Sequence, residues 1–331
     1  MRYVEIAGQR LSVIGLGTWQ FGSREWGYGD QYAEGEALDI TRRALDLGIN
    51  VVDSAEVYAF GRSERIVGRA IQGRRDDVFL ATKIFPILAL APVVRKRARA
   101  SADRLMVDAI DLYQVHWPNP LVPLSSTMKG MAALQAEGTV THVGVSNFNL
   151  KQWQQAERAL GGPVLTNQVE YNLVARKPER ELLAWAQAND RAIIAYSPLA
   201  QGFLSGRYDA HHLPTGLRST RSLFLPENLD RARPLLVALR EIAGGHGATP
   251  AQIALAWLIH RPNVIAIPGA SSVAQLEANA AAADITLSAD DDQRLTEASD
   301  AFHRLPATTA ARRRLGAMAQ RGRLSLRSTE T

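Results

Sequence analysis

Eight short apolar runs, with amphipathic helical stretches between them, constrain the fold of this 331-residue chain more than any other feature. An alternation of this kind is typical of repeated β–α units, in which consecutive strands run parallel. The runs are apolar almost throughout, as expected for strands that are buried on both faces. They occupy residues 11–18, 49–53, 78–83, 110–116, 142–146, 164–168, 192–197 and 264–267.

Helix start and stop signals lie between these runs. Residues 36–47 are predicted to form a helix that ends at Gly48, and Thr249 and Pro250 supply the N-cap and first residue of a helix that continues to residue 259. Eight parallel strands joined by right-handed helical crossovers close naturally into a (β/α)8 TIM barrel. The usual size of that α/β fold, about 250 residues, leaves room for additional segments.

A doubly wound sheet is the alternative arrangement of parallel strands. It would place a G-x-G-x-x-G turn between a strand and a helix. The segment nearest to that pattern is Gly15-Leu16-Gly17, which lacks the third glycine and continues as Thr18-Trp19-Gln20-Phe21-Gly22. The barrel is therefore the predicted fold.

Three further segments are expected to decorate the barrel. Residues 3–6 and 9–13 flank Ala7-Gly8 and predict an N-terminal hairpin that plugs the lower end of the barrel. Long loops follow strands one and seven, over residues 21–34 and 200–233. Loops of this length are usually functional, and both would lie at the carboxyl ends of the strands, where barrel enzymes place their chemistry.

The net charge of +5 would suggest a nucleic-acid partner if it were spread over the fold. Residues 307–331, however, contain six arginines and one acid and carry the whole of that excess. We predict a single barrel over residues 1–306, followed by an arginine-rich tail that is either solvated and partly disordered or a lid. No nucleic-acid partner is predicted.

The chain has the composition of a globular protein, with 46% hydrophobic and 21% charged residues. It lacks an apolar run of about eighteen residues, and its first residues do not read as a signal peptide, so we expect a cytoplasmic protein without a membrane partner. The absence of cysteine excludes disulfides, thiolate catalysis and cysteine-ligated metal. No metal site is predicted.

Four polar residues mark the ends of predicted strands two to four: Asp53, Lys83 and His116 end them, and Tyr58 lies in the loop after the first. Neighbouring parallel strands lie about 4.8 Å apart, so these side chains can converge. A tyrosine pKa of about 10 is too high for efficient acid catalysis, and a nearby ammonium would lower it. Lys83 would supply that charge, Asp53 would keep it protonated, and a neutral His116 would orient a carbonyl.

Each of these residues also has a structural interpretation when it is taken alone. Asp53 and Lys83 would then be an ion pair at the barrel mouth, Tyr58 a turn residue and His116 a buried histidine. The combination of all four favours a site for carbonyl reduction.

Nine motifs follow one another in a fixed order, each at an expected strand end. Together they resemble the aldo-keto reductases over roughly residues 4–300, and are similar to bacterial, including mycobacterial and actinobacterial, members and to potassium-channel β subunits. The motifs are Gly15-Leu16-Gly17-Thr18-Trp19, Asp53-Ser54-Ala55-Glu56-Val57-Tyr58, Gly61-Arg62-Ser63-Glu64, Ala81-Thr82-Lys83, Asp111-Leu112-Tyr113-Gln114-Val115-His116-Trp117, Gly144-Val145-Ser146-Asn147-Phe148, Asn167-Gln168-Val169-Glu170-Tyr171-Asn172, Tyr196-Ser197-Pro198-Leu199 and Ile267-Pro268-Gly269-Ala270-Ser271-Ser272.

The resemblance implies a (β/α)8 barrel that binds an extended nicotinamide cofactor without a Rossmann fold and transfers its 4-pro-R hydride to an aldehyde or ketone. Asp53, Tyr58, Lys83 and His116 match the family's four catalytic positions, with Tyr58 as proton donor. Four groups of cofactor contacts are implied as well. They are Ser146, Asn147 and Gln168 at the carboxamide, with Tyr196 stacked on the nicotinamide; Ser197, Leu199, Gly202, Gly206 and Arg207 at the pyrophosphate; Gly269, Ser271, Ser272, Gln275 and Asn279 around the adenosine and its 2′-phosphate; and further cofactor contacts at Gly17, Thr18, Trp19, Asp53, Pro198 and Ile267.

NADPH is expected rather than NADH. Many family members have Lys or Arg just after the Gly-Ala of the last motif, where this chain has Ser271-Ser272. Hydroxyl groups and the amides of a helix starting near Ser272 can bind a phosphate, and Arg207 can add charge.

The expected substrate pocket contains aromatic residues, which favour an apolar or aromatic carbonyl compound: Trp19, Trp26, Tyr28, Phe85 and Trp117. Trp26 and Tyr28 are equally compatible with packing inside their own loop. Two other functions stay open. One is a Schiff-base aldolase or lyase that uses Lys83, against which Asp53 argues by keeping the amine charged; the other is a cofactor-binding redox sensor or partner subunit.

Overall fold

The computed structural model describes residues 1–24, 27–29, 32–306 and 308, and ten strands fall within them. Two form an antiparallel hairpin, and eight form a parallel sheet in which each strand pairs with its neighbours in sequence. The strands are β1 (Tyr3–Ile6), β2 (Gln9–Ser12), β3 (Leu16–Gly17), β4 (Val51–Asp53), β5 (Phe79–Ile84), β6 (Ile110–Val115), β7 (Val140–Ser146), β8 (Thr166–Glu170), β9 (Ala192–Tyr196) and β10 (Val264–Ala266).

The first and last strands of the parallel sheet meet and close it. Ile14 forms a parallel bridge with Ala266, and the Gly17 amide donates a 3.1 Å hydrogen bond to the carbonyl of Pro268. A side chain at Gly17 would not fit this seam, because its Cβ would lie 2.7 Å from the carbonyl oxygen of Ile267. The predicted (β/α)8 barrel is confirmed.

Helices connect the strands and cover the outside of the barrel. None of those within the described residues is long and apolar enough to cross a membrane. The Thr249 hydroxyl accepts a hydrogen bond from the Gln252 amide, so the predicted N-cap is present. The helices are α1 (Glu34–Asp46), α2 (Arg62–Ala70), α3 (Ala91–Leu105), α4 (Leu124–Ala136), α5 (Leu150–Leu160), α6 (Leu182–Ala188), α7 (Pro226–Arg231), α8 (Arg233–Gly245), α9 (Pro250–Ile259), α10 (Val273–Ala281) and α11 (Ala289–Asp300).

The hairpin closes the amino-terminal end of the barrel, as predicted. Ile6 and Leu11 are buried in the same apolar cluster as Val51, Phe79 and Ile265, which lie near the beginnings of three barrel strands. A larger cluster fills the space between the strands and the surrounding helices. With one end plugged by apolar side chains, only the carboxyl end of the barrel is left to hold polar groups.

The predicted beginning of the first barrel strand was wrong. The first barrel strand, predicted over 11–18, is only Leu16–Gly17, because residues 9–12 pair with β1 in the hairpin instead. The long loop predicted over 200–233 is present, since α8 begins only at Arg233, and it contains α7 and three 3-10 turns. The proposed tail lies outside the described residues except for Thr308, and so does Trp26.

Candidate active site

The structure brings the four predicted catalytic residues together at the carboxyl ends of β4, β5 and β6. The Lys83 ammonium lies 2.5 Å from Asp53 Oδ1 and donates a 3.2 Å hydrogen bond to the Tyr58 hydroxyl. The rings of Tyr58 and His116 meet edge to face, with centroids 5.9 Å apart. Lys83 and Asp53 are buried, with side chains 0% and 2% exposed, whereas Tyr58 and His116 are half-buried.

The Lys83 ammonium has an acceptor for each of its three protons. In addition to Asp53 and Tyr58, it donates a 2.7 Å hydrogen bond to the backbone carbonyl of Ser54. A buried charge is tolerated only when it is paired and its hydrogen bonds are satisfied. Lys83 therefore has one fixed position, with one of its protons directed at the phenol oxygen.

The second oxygen of Asp53 accepts hydrogen bonds from two side-chain amides that face the barrel interior. Gln168 Nε2 lies 2.8 Å from Asp53 Oδ2, and Gln114 Nε2 lies 3.2 Å from it. The side-chain oxygen of Gln114, Oε1, in turn accepts a 3.3 Å hydrogen bond from the Thr166 hydroxyl. Gly144 makes room for this arrangement, because a Cβ there would lie 2.8 Å from Gln114 Cγ.

Gln114 was not among the predicted site residues. The sequence signal that could have found it is its polar side chain inside a buried strand, two positions before His116. In the sheet, Gln114 pairs in register with Lys83. Gln168 was predicted only as a cofactor contact, and in the structure its amide nitrogen donates to Asp53.

Burial and charge have opposite effects on Lys83 and Tyr58. Burial lowers the pKa of Lys83, but Asp53 and Tyr58 more than offset this, and the net shift is upward. Burial raises the pKa of Tyr58, and the Lys83 ammonium lowers it by less, so that the net shift is again upward. The expectation of a lowered tyrosine pKa was wrong in its net direction, although Lys83 acts in the expected sense.

His116 is held in its neutral form. Burial, assisted by the Lys83 charge, lowers its pKa to about 3. Its Nδ1 atom is buried without a hydrogen-bond partner among the described residues. The ring lies edge-on to Phe85, at 6.2 Å, and stacks on Trp117 at 6.2 Å. Two of the predicted pocket aromatics therefore adjoin the site.

The ends of β7 to β9 bring the residues predicted at the nicotinamide together. Asn147, in the left-handed region at φ 63°, donates to Ser146 Oγ at 2.9 Å and to the His116 carbonyl at 3.2 Å. Its Oδ1 accepts a 3.0 Å hydrogen bond from the Tyr196 hydroxyl. Burial is the largest cause that raises the pKa of Tyr196 to about 12. These contacts join this group directly to the loop that carries His116.

The loop after β9 has an unusual backbone where the pyrophosphate contacts were predicted. Ser197, Ala200, Gln201, Gly202 and Gly206 all have positive φ, from 48° to 93°. Such conformations cluster at ligand sites, because they turn backbone amides into an anion-binding concavity. Pro198, Leu199 and Arg207 belong to the same segment, and Arg207 is exposed.

The residues predicted around the adenosine form one hydrogen-bonded group at the start of α10. Ser272 caps the helix by accepting from the Gln275 amide at 3.2 Å, and the Ser271 amide and hydroxyl donate to Gln275 Oε1 at 2.9 and 3.1 Å. Asn279 Nδ2 donates to the Gly269 carbonyl at 3.3 Å. Ile267, the residue after β10, is buried. Hydroxyls and helix N-terminal amides are a donor set that suits a phosphate.

The cofactor contacts predicted just after β3 and the predicted pocket residues differ in their exposure. Thr18 is buried, and its hydroxyl donates to the Asp53 carbonyl at 2.9 Å, so it supports the site from within the protein. Trp19 and Trp117 are exposed at the mouth. Tyr28 packs edge-on against Tyr32 at 5.5 Å, which matches the interpretation of loop packing.

The carboxyl end of the closed (β/α)8 barrel holds a tyrosine, a buried lysine–aspartate pair and a neutral histidine. This fold and site, together with the family match and the oxidoreductases that resemble the chain, define an NAD(P)H-dependent oxidoreductase of barrel type. The profile of the Aldo/keto reductase family matches residues 13–300, and the chain belongs to that family.

Relatives and solved structures agree with this assignment. An uncharacterized oxidoreductase of Mycobacterium tuberculosis is 52% identical over 91% of this chain and 94% of its own length. A probable voltage-gated potassium channel subunit beta of Arabidopsis thaliana is 33% identical over 84% of this chain and 89% of its own length. The chain is also similar to an aldo/keto reductase from Klebsiella pneumoniae, whose crystal structure is a complex with NADP and acetate. The sequence identity is 33% and the TM-score is 0.72, and the match covers 92% of this chain and 98% of that chain. The resemblance to both bacterial members and channel subunits is confirmed.

Proposed function

We propose that the protein reduces an aldehyde or ketone to the alcohol with NADPH, and that Tyr58 donates the proton. The observation that carries this proposal is the contact between the Tyr58 hydroxyl and the Lys83 ammonium, at 3.2 Å, with the two other protons of Lys83 bound to Asp53 and Ser54. A phenol next to a fixed ammonium can release its proton and leave a stabilised phenolate.

Each member of the site has one task in the reaction. The dihydronicotinamide, when bound, supplies the hydride to the carbonyl carbon. Tyr58 gives its proton to the carbonyl oxygen, and Lys83 stabilises the phenolate that remains. Asp53 keeps Lys83 charged, while neutral His116 donates its one N–H to the carbonyl oxygen and orients it. The net upward pKa shift of Lys83 argues against a Schiff-base reaction, which needs a neutral amine.

Residues at the ends of β7 to β10 would hold the cofactor. The Tyr196 ring would lie against the nicotinamide, Ser146, Asn147 and Gln168 would bind its carboxamide, and the loop after β9 would bind the pyrophosphate. Ser271, Ser272 and the first amides of α10 would bind the 2′-phosphate that distinguishes NADPH from NADH. A lower dissociation constant for NADH than for NADPH would refute the cofactor preference.

Replacing Tyr58 by phenylalanine tests the proton donor. We expect the rate of carbonyl reduction to fall about 10²- to 10⁴-fold, the usual contribution of a general acid, while the dissociation constant of NADPH stays nearly unchanged. Tyr3→Phe is the matched control, since the Tyr3 hydroxyl donates to the Gly48 carbonyl at 2.9 Å, outside the site. The assay is NADPH consumption across aldehydes, ketones and quinones. Wild-type turnover in Tyr58→Phe would refute the mechanism.

A further inference from the structure

Exposed apolar side chains concentrate on the loops around the site. Among the described residues, eight of the eleven exposed large apolar side chains lie on the loops that follow β3, β4, β5 and β6. Five of them define what we call the apolar rim: Phe60, Ile87, Leu88, Trp117 and Leu121, which are 96%, 60%, 65%, 44% and 90% exposed. A concentration of this kind on one face of a protein usually marks a binding surface.

Hydrogen bonds fasten the loops of the rim to one another. Asn119 Nδ2 donates to the Pro86 carbonyl at 2.8 Å and joins the loop after β6 to the loop after β5. Glu56 accepts from the Phe85 amide at 2.5 Å and joins the loop after β4 to the same segment. Arg97 pairs with Glu56 and donates to the Phe85 carbonyl at 2.8 Å. The rim therefore belongs to one connected set of loops, which also carries Tyr58 and His116.

Two residues of the rim combine exposure with an unfavourable backbone. Phe60 has φ 56° and Leu88 has φ 50°, the left-handed region that side chains with a Cβ disfavour. Both side chains are exposed, so burial in the fold does not offset the unfavourable backbone conformation. Backbone strain of this kind is typically retained at ligand-binding sites.

The charge of the loops indicates which chemistry the rim would bind. Residues 85–90 and 116–123 contain no lysine, arginine, aspartate or glutamate. These two segments carry Ile87, Leu88, Trp117 and Leu121, so this part of the rim offers no charge to a phosphate or carboxylate but can remove an alkyl chain or a ring from water. The loop of Phe60 does carry charge, at Glu56, which pairs with Arg97, and it is followed by the exposed Arg62. Since the rim continues outward from Tyr58 and His116, the group it covers is one that is attached to the reacting carbonyl.

We propose that the apolar rim binds an extended apolar group of the substrate, so that the protein prefers medium- and long-chain aldehydes or ketones to short ones. This inference rests on the proposed carbonyl reduction. Complete burial of a methylene group improves binding roughly fourfold, and one-sided cover by the rim about twofold. Four methylene groups on the rim would therefore raise kcat/KM about tenfold to twentyfold.

The test is kcat/KM for propanal, hexanal and decanal with NADPH. We expect the wild-type ratio of decanal to propanal to be about tenfold or more, and the double variant Leu88→Ala/Leu121→Ala to lower that ratio about three- to tenfold. Val237→Ala is the matched control, because Val237 is an exposed apolar residue on α8, away from the rim, and it should keep the wild-type ratio.

The outcomes separate the inference from the proposed function. Reduction of all three aldehydes with a wild-type ratio near one would overturn the inference alone. Absence of reduction for every aldehyde would overturn the proposed function and the inference with it. If the double variant keeps the ratio but changes the elution volume in gel filtration, the rim is a contact between copies of the chain and the inference is overturned.

Discussion

The buried pair of Lys83 and Asp53 allows a quantitative test by a double-mutant cycle. The pair lies in the barrel interior, and the two charges contact each other directly at 2.5 Å. Removing one partner of a buried pair leaves the other charge unpaired and typically costs about 3–5 kcal/mol of stability. We therefore expect the single variants Asp53→Asn and Lys83→Met each to lose about that amount from the free energy of unfolding.

The double variant Asp53→Asn/Lys83→Met is expected to be no less stable than either single variant, because it leaves no unpaired charge. The coupling free energy of the cycle should then be about 3 kcal/mol or more. Urea unfolding at pH 7, followed by far-ultraviolet circular dichroism, measures all four proteins. Additive losses in the double variant would refute the interpretation of Lys83 and Asp53 as one charged unit.

Three further predictions concern His116, Gln114 and the end of the chain. His116→Phe should reduce the loss of stability on acidification from pH 7 to pH 4. The pKa of His116 is about 3 in the folded protein and ordinarily 6.5, so only the unfolded chain takes up a proton on this histidine as the pH falls below 6.5. Urea unfolding at both pH values measures the loss, and an unchanged loss in the variant would contradict the prediction. Gln114→Leu should lower the free energy of unfolding by about 1.5–3 kcal/mol, the usual contribution of a buried hydrogen bond to a charged group. In urea unfolding, a change below about 0.5 kcal/mol would count against the hydrogen bond from Gln114 to Asp53. Deletion of the residues after Pro306 should leave the thermal unfolding midpoint near that of the full chain. Deletion of the residues after Ala301 should lower the midpoint, because it removes the buried side chains of Phe302 and Leu305. A large loss of activity on deletion after Pro306 would make the arginine-rich tail a lid.

The parts of the site that sequence could predict are those with a local signal. Asp53, Lys83 and His116 each interrupt or end an apolar run, and the ends of parallel strands must lie on one edge of the sheet. Their convergence therefore follows from the fold alone. The cap at Thr249 is equally local, since it depends on residues three positions apart.

The parts that sequence could not predict depend on contacts between distant segments. Gln114 becomes a site residue only because β4 and β8 place Asp53 and Thr166 beside it. The short first barrel strand depends on the pairing of residues 9–12 with β1 rather than on their own apolar content. The net pKa shift of Tyr58 depends on how deeply its hydroxyl is buried, and no neighbouring residue in the sequence reports that.

The upward pKa shift of Tyr58 has two consequences for the proposed reaction: it keeps the proton donor protonated, and it makes the phenol a weaker acid than a free tyrosine. The proposed reduction needs the hydroxyl form of Tyr58, and the raised pKa keeps that form through the whole neutral range. Oxidation of an alcohol needs the phenolate, which forms only as the pH rises through that raised pKa. Lys83 stays charged and His116 stays neutral over the same neutral range, so all three groups can act as hydrogen-bond donors. In the proposed mechanism, these protonation states suit carbonyl reduction near neutral pH, and Lys83 acts mainly after proton transfer, when it stabilises the phenolate.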